Sequence, residues 1–243
     1  VNSVKIRTVE HTLRIIEAMA EADRDMSVAE LSRRIAVKRL TVWRIVQDLC
    51  EAGYLQRTGY RTVGPGFGLV YLGRLVTSQK YFTPQIRNEL IQAEKTLGVK
   101  CALGSIVRNR MVYLFRTADI GAIETGEHWP IHGSNIALCI LVDSRGSGKA
   151  LDILRESVRE AGYPAEEEAR WISDLEKRVS MFVELGYALY SDKRGSNISF
   201  PLRSRGITLG LAFYDLPLSS PRMGYLITQC STLRNRLADA LAK

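Results

Sequence analysis

The 35 residues from Ser27 to Arg61, SVAELSRRIAVKRLTVWRIVQDLCEAGYLQRTGYR, constrain the fold more than any other part of this chain. They predict two short helices, a tight turn and a small basic hairpin, the layout of a winged helix-turn-helix. Ser27 and Glu30 stand at S-x-x-E spacing, a capping box that starts the first helix. Val28, Leu31 and Ile35 follow at helical spacing. Ala36, Val37 and Lys38 fill the turn. A second helix then runs from about Arg39 to Ala52 and is stopped by Gly53.

In that second helix Val42, Ile45, Val46 and Leu49 fall on one side and face the core. Leu40, Arg44, Gln47 and Glu51 fall on the other, with Trp43 on the shoulder. Arginine can bind guanine O6/N7 with two hydrogen bonds, and glutamine can do the same to adenine N6/N7. An exposed Leu40 suits a thymine methyl better than water. Many surface helices show outward Arg and Gln, so the helix alone does not decide the matter. Its place between a capped helix and a hairpin favours DNA. The hairpin is read as Tyr54–Arg57, a turn at Thr58-Gly59, and Tyr60–Val63, with Arg57 and Arg61 positioned to meet phosphate.

The charge distribution agrees. The 243 residues carry a net charge of +8. Residues 1–80 hold 13 Lys and Arg against 8 Asp and Glu, and the remaining 163 hold 21 against 18. The excess therefore lies where DNA contact is expected. The length allows two domains. No apolar run approaches the ~20 residues of a membrane span, and no secretory leader is evident. The cysteines at 50, 101, 139 and 230 are widely spaced and form no C-x-x-C pair, which suits reduced thiols in a cytoplasm.

Outside this stretch, residues 1–7 form a basic arm, and a helix over about Thr8–Ala22 is expected to bury Val9, Leu13, Ile16 and Ala20. Gly64-Pro65-Gly66 breaks the hairpin, and 67–78 reads as a helical connector. A helix from Pro84 to Leu97 comes next, then strands at 100–107 and 111–117, and an irregular stretch over 118–135. Helices are expected at 136–142, 149–161 and 167–185, strands at 187–190, 197–202 and 207–214, and a last helix at 221–241. The second domain is thus α+β, a mainly antiparallel sheet covered by helices. In 207–214, Thr208, Gly210, Ala212 and Tyr214 share one face, opposite the bulky Ile207, Leu209, Leu211 and Phe213. Asn197 and Ser199 likewise share a face. Small and polar groups beside a large aromatic can floor a cavity.

Over nearly its whole length the chain resembles the IclR (isocitrate lyase regulator) family of bacterial transcriptional regulators. The resemblance is carried by VEHTLRIIEAMAE (9–21), MSVAELSRRIAVKRLTVWRIVQDLCEAGYL (26–55) and GYRTVGPGFGLVYLG (59–73). Further on it is carried by WPIHGSNIA (129–137), LEKRVSMFVELGYAL (175–189) and NISFPLRSRGITLGLAFYDLP (197–217). It implies a winged helix-turn-helix domain over 1–66, a linker helix over 67–83, and a GAF-like α+β effector-binding domain over 84–243. It also implies dimers, often paired into tetramers. Arg39, Thr41, Trp43 and Arg44 fall on recognition-helix positions, and Tyr60-Arg61 on the wing. Gly133 and Ser134 match the loop bordering the family's effector cavity, and Asn197, Ser199, Ala212 and Tyr214 match its lining strands. Leu103 and Trp129 are added as neighbours. Three departures stand out: Ala137-Leu138 replaces the usual Gly-Lys, Asn197 the cavity cysteine, and Ala212 a small serine position. A glyoxylate-like ligand is therefore not carried over, and Tyr214 and Trp129 point to an apolar or aromatic effector.

The expected partners are a double-stranded DNA operator, a small organic effector (an organic acid or an aromatic compound) and further copies of the chain, as dimer or tetramer. No membrane, metal or cofactor is expected. The rival readings are an enzyme and a ligand-independent DNA-binding protein. His11, His128 and His132 are the only histidines and form no metal-ligand spacing. Gly146-Ser147-Gly148-Lys149 lacks the opening glycine and the Ser/Thr of a phosphate loop. A second domain of this size exceeds what a mere dimeriser needs.

Overall fold

The computed structural model describes residues 6–77, 84–117, 128–192, 195–204, 207–216 and 221–242. It divides into two units, 1–80 and 81–243. In the first, helix α1 (Arg7–Ala22) leads into the two-residue strand β1 (Met26–Ser27), helix α2 (Val28–Ile35) and helix α3 (Arg39–Glu51). The capping box is complete: Ser27 Oγ accepts from the Glu30 backbone N–H at 3.2 Å, and Glu30 Oε2 accepts the Ser27 N–H at 2.8 Å. These bonds, with Arg24 3.1 Å away, hold the Glu30 carboxyl down at about 2. Ala36 ends α2 in the left-handed region, φ 52°. α3 buries Val42, Ile45, Val46 and Leu49, the face its periodicity predicts.

The wing departs from the expected hairpin. Strand β2 (Leu55–Arg57) pairs with β3 (Thr62–Pro65), so the turn spans Thr58 to Arg61 and carries Tyr60 and Arg61 at its tip. Gly64-Pro65 belongs to the return strand instead of breaking it. β3 also pairs with β1, an element too short for the sequence pattern to reveal, giving a three-stranded sheet. Gly66 is dictated by space: a Cβ there would lie 2.4 Å from the Gly53 carbonyl oxygen. Helix α4 (Gly68–Thr77) follows, close to the expected connector.

α1 departs as well. Ile15, Ala18 and Met19 are its buried residues, whereas Val9 and Leu13 are exposed. The expected 9/13/16/20 stripe thus looks away from the core for three of its four members, since Ala20 is also exposed.

The second unit is built on a six-stranded antiparallel sheet in the order β6-β5-β4-β9-β8-β7. In chain order these are β4 (Lys100–Val107), β5 (Arg110–Arg116), β6 (His128–Pro130), β7 (Ala188–Asp192), β8 (Gly195–Ser204) and β9 (Ile207–Tyr214). β6 lies within the stretch expected to be irregular. Helices α5 (Pro84–Leu97) and α9 (Met223–Ala242) cover one face, packing Ile86, Leu90, Leu233 and Leu237 against Leu103, Phe200, Leu211 and Phe213. Helix α6 (Asn135–Arg145) lies across the other, backed by α7 (Ser147–Glu160) and α8 (Ala165–Leu185). α6 sits close because the sheet offers glycines. A Cβ on Gly210 would meet Ile136 Cγ2 at 2.6 Å and the Ile136 carbonyl oxygen at 3.0 Å.

Between Leu103 and Gly104 the β4–β5 register slips by one residue. Gly104 faces Tyr113 and Leu103 faces Phe115, leaving Leu114 as the extra residue of a β-bulge. The four cysteines are free thiols. Burial pushes Cys101, Cys139 and Cys230 upward, Cys230 to about 12. Among the described residues no helix is long and apolar enough to cross a membrane.

Candidate nucleic-acid interface and effector site

α3 and the wing converge on one groove of about 560 Å³. From α3 come Arg39, Trp43 and Gln47; from the wing come Arg57, Tyr60 and Arg61; the start of α2 closes the end. Arg39, Trp43, Arg57, Tyr60 and Arg61 are exposed, and Gln47 is half-buried. Tyr60 is 91 % exposed, and the Arg61 guanidinium lies 5.2 Å from its ring centroid. A side chain left so open in a folded unit has no packing role. Leu40, Thr41 and Arg44 are exposed on α3 but do not line the groove. Leu40, at 60 % exposure, joins Trp43 as a large apolar side chain left exposed on α3. The surface therefore offers two adjoining strips, Arg44 with Leu40 on the helix crest and an arginine-lined cleft between helix and wing.

In the second unit the face beneath α6 is reached by Asn197, Ser199, Ala212 and Tyr214, as the period-two pattern predicts. Its two ends differ. Ser199 and Ala212 are completely buried under α6, and Cys139 Sγ contacts the Ser199 carbonyl oxygen at 3.0 Å. Ser199 Oγ has no partner there. Ala212 is thus a packing position, where the sequence reading has it as open cavity wall. Asn197 and Tyr214 lie at the other end, cross-strand partners on β8 and β9. Asn197 Oδ1 accepts from Asn135 Nδ2 at 2.7 Å, and Tyr214 Oη is 2.9 Å from Tyr113 Oη. Burial and that bond push the Tyr214 phenol upward.

Ser134 caps α6, its Oγ accepting from the Ala137 N–H at 3.2 Å, with the exposed Gly133 just before it. The helix start is thus fixed without the glycine-lysine pair the resemblance expects. Leu103 requires correction. It is fully buried on the opposite face, against α5 and α9, because β4 alternates and Ala102 takes the α6 side. Trp129 is 49 % exposed on the edge strand β6, across from Met111.

Sequence reasoning missed the polar core beside this end. Arg178 on α8 is buried; its Nε donates to Asn135 Oδ1 at 3.1 Å and its Nη1 to Asp174 at 3.3 Å, and its guanidinium lies 5.4 Å from the Tyr190 ring. His132 is buried, not solvent-facing. Its Nδ1 is 2.8 Å from Ser157 Oγ and its Nε2 3.2 Å from Tyr163 Oη, with Trp171 packed edge-on. Burial lowers its proton affinity. Nothing in the local pattern around His132 marks either contact, since both partners lie 25 or more positions along. Among the described residues no group of three or more His, Cys, Asp or Glu could hold a metal.

A winged helix-turn-helix unit followed by an α+β sensor-like unit is the architecture of a DNA-binding transcriptional regulator. Residues 8–59 match the IclR helix-turn-helix domain. The chain as a whole has the fold of the IclR family of transcriptional regulators. An IclR family transcriptional regulator from Brucella abortus superposes with a TM-score of 0.80 at 16% identity, covering 98% of this chain and 94% of its own. A regulator from Alicyclobacillus acidocaldarius gives 0.68 at 18% identity and 98% coverage of both. An IclR homologue from Microbacterium hydrocarbonoxydans, crystallised with 4-hydroxybenzoate, gives 0.66 at 17% identity, covering 96% of this chain and 99% of its own. No curated protein sequence matches this chain.

Proposed function

We propose that this chain is a cytoplasmic transcriptional regulator that reads a two-fold-related operator as a homodimer or a pair of dimers, under the control of a small organic effector. The carrying observation is the convergence of Arg39, Trp43, Gln47, Arg57, Tyr60 and Arg61 on a single groove beside the exposed Arg44. Arg44 and Gln47 read base edges, Leu40 meets a thymine methyl, and the wing arginines meet phosphate. The effector binds at the Asn197–Tyr214 end of the α6 face, beside the Gly133-Ser134 loop. The aromatic acid bound by the Microbacterium homologue supports an effector of that size.

The test is selection of bound duplexes from a random pool, followed by titration of the selected sequence against wild type and Arg44→Ala. Recovery of a motif with two related halves, and loss of its preference over random duplex in Arg44→Ala, is the expected result. A good bidentate contact is worth roughly 1–3 kcal/mol of discrimination. No enriched motif, or equal discrimination by the variant, overturns the assignment.

A further inference from the structure

The β-bulge in β5 places a cation, Arg116, beside Tyr214 of the proposed effector site. Without the bulge, strict alternation through Met111, Tyr113 and Phe115 would turn Arg116 toward the α5/α9 core. With it, Phe115 packs on that core and Arg116 pairs with Ala102 on the α6 face. The guanidinium then lies 5.5 Å from the Tyr113 ring centroid and 5.1 Å from that of Tyr214. Arg116 is half-buried, and among the described residues no carboxylate pairs with it.

The two tyrosine hydroxyls add to this. They are 2.9 Å apart, so one donates to the other, and the accepting hydroxyl keeps its own proton to offer. Among the described residues no carboxylate satisfies the arginine fork or the remaining phenolic proton. A bulge that exists to re-aim one side chain, and aims an arginine at two aromatic faces, is a construction for an anionic oxygen pair.

We propose that Arg116, with the Tyr113–Tyr214 hydroxyl pair, is the charge-selecting element of the effector site, and that the effector is an organic carboxylate. The proposal rests on the placement of the effector site given above. The two rings pack beside the guanidinium, so a carboxylate would meet a held fork, with Tyr214 beside it for an aromatic body.

Matched acid and amide pairs test it: benzoate with benzamide, 4-hydroxybenzoate with 4-hydroxybenzamide, and succinate with succinamide. Each is titrated calorimetrically into the full chain as wild type, Arg116→Gln, Arg116→Lys and Asn197→Leu, with melting curves as the check on folding. At least one acid should bind wild type tenfold or more tighter than its amide. Arg116→Gln should erase that ratio, and Arg116→Lys should keep part of it. Amides binding as well as acids, or a ratio unchanged in Arg116→Gln, overturns the role of Arg116 and leaves the site in place if Asn197→Leu still loses binding. Acid binding that survives both Arg116→Gln and Asn197→Leu moves the site elsewhere and removes the reading beneath the proposal. No acid of the panel binding wild type overturns the proposal outright.

Discussion

Arg44, Arg57 and Arg61 carry the same charge but should fail differently when removed. Arg57 and Arg61, on the wing, are positioned for phosphate. Their alanine variants should weaken binding to all duplexes alike and reduce the slope of log affinity against log salt by about one each. Binding titrations over a salt series on the operator and on random duplex check this; a loss confined to the operator would place them among the base readers. These residues were legible in the sequence because a recognition helix displays its chemistry at fixed 3.6-residue intervals. Arg116 and His132 were not. A bulge resets which face a strand residue takes, and contacts 25 or 31 residues apart leave no local trace. His132 carries its own prediction. Burial keeps it neutral in the fold, whereas an unfolded histidine takes up a proton below about 6.5. The unfolded state therefore binds more protons there, and stability contributed by neutral His132 is lost as pH falls from 7 to 5. Thermal melts should show that decline in wild type. In His132→Gln it should be shallower, with overall stability lower by about 1–3 kcal/mol for the hydroxyls left unpaired.

Helices with a single buried face were legible as elements, and their ends more so where a cap was written into the sequence. The Ser27–Glu30 box gives a pH-dependent test of the start of α2. Glu30 titrates at about 2 when bonded and nearer 4.5 when free, so its contribution is complete above 4.5 and disappears as pH falls through 2. Melts of the wild type and Glu30→Ala should differ at neutral pH and converge near pH 2; a constant gap would mean the carboxylate charge is not what holds the cap. α1 shows where periodicity misleads. Two apolar stripes fit the sequence, 9/13/16/20 and 15/18/19, and only packing decides between them. Position 210 shows the same for strands. Its glycine looked like cavity floor and is instead the seat of α6. Gly210→Val should lift the helix from the sheet and destabilise the second unit by about 1–3 kcal/mol, the usual cost of overpacking. Denaturant unfolding measures it.

At the scale of the whole molecule, apolar side chains stay exposed along two helices of the first unit. Val9 and Leu13 on α1 and Ile6 just before it are exposed, as are Val70, Tyr71, Leu72 and Leu75 on α4 and Phe67 just before it. Scattered exposed apolar residues are ordinary, but six on two helices of one unit, with one more just before each, are not. The same unit carries the groove proposed to read DNA, and a helix-turn-helix protein gains most when two copies meet successive major grooves. In the homodimer proposed above, a second copy would cover these helices and thereby set the spacing of the two grooves. Val70→Glu with Leu75→Glu should then give monomers by sedimentation while far-UV circular dichroism stays that of the wild type, because neither side chain belongs to the core. Operator affinity should fall by about 100-fold or more as the second half-site ceases to be an intramolecular event, whereas affinity for an isolated half-site should not change. Dimers persisting in the double variant would place the pairing surface elsewhere in the chain, and half-site affinity falling in parallel would mean that α4 supports the groove itself.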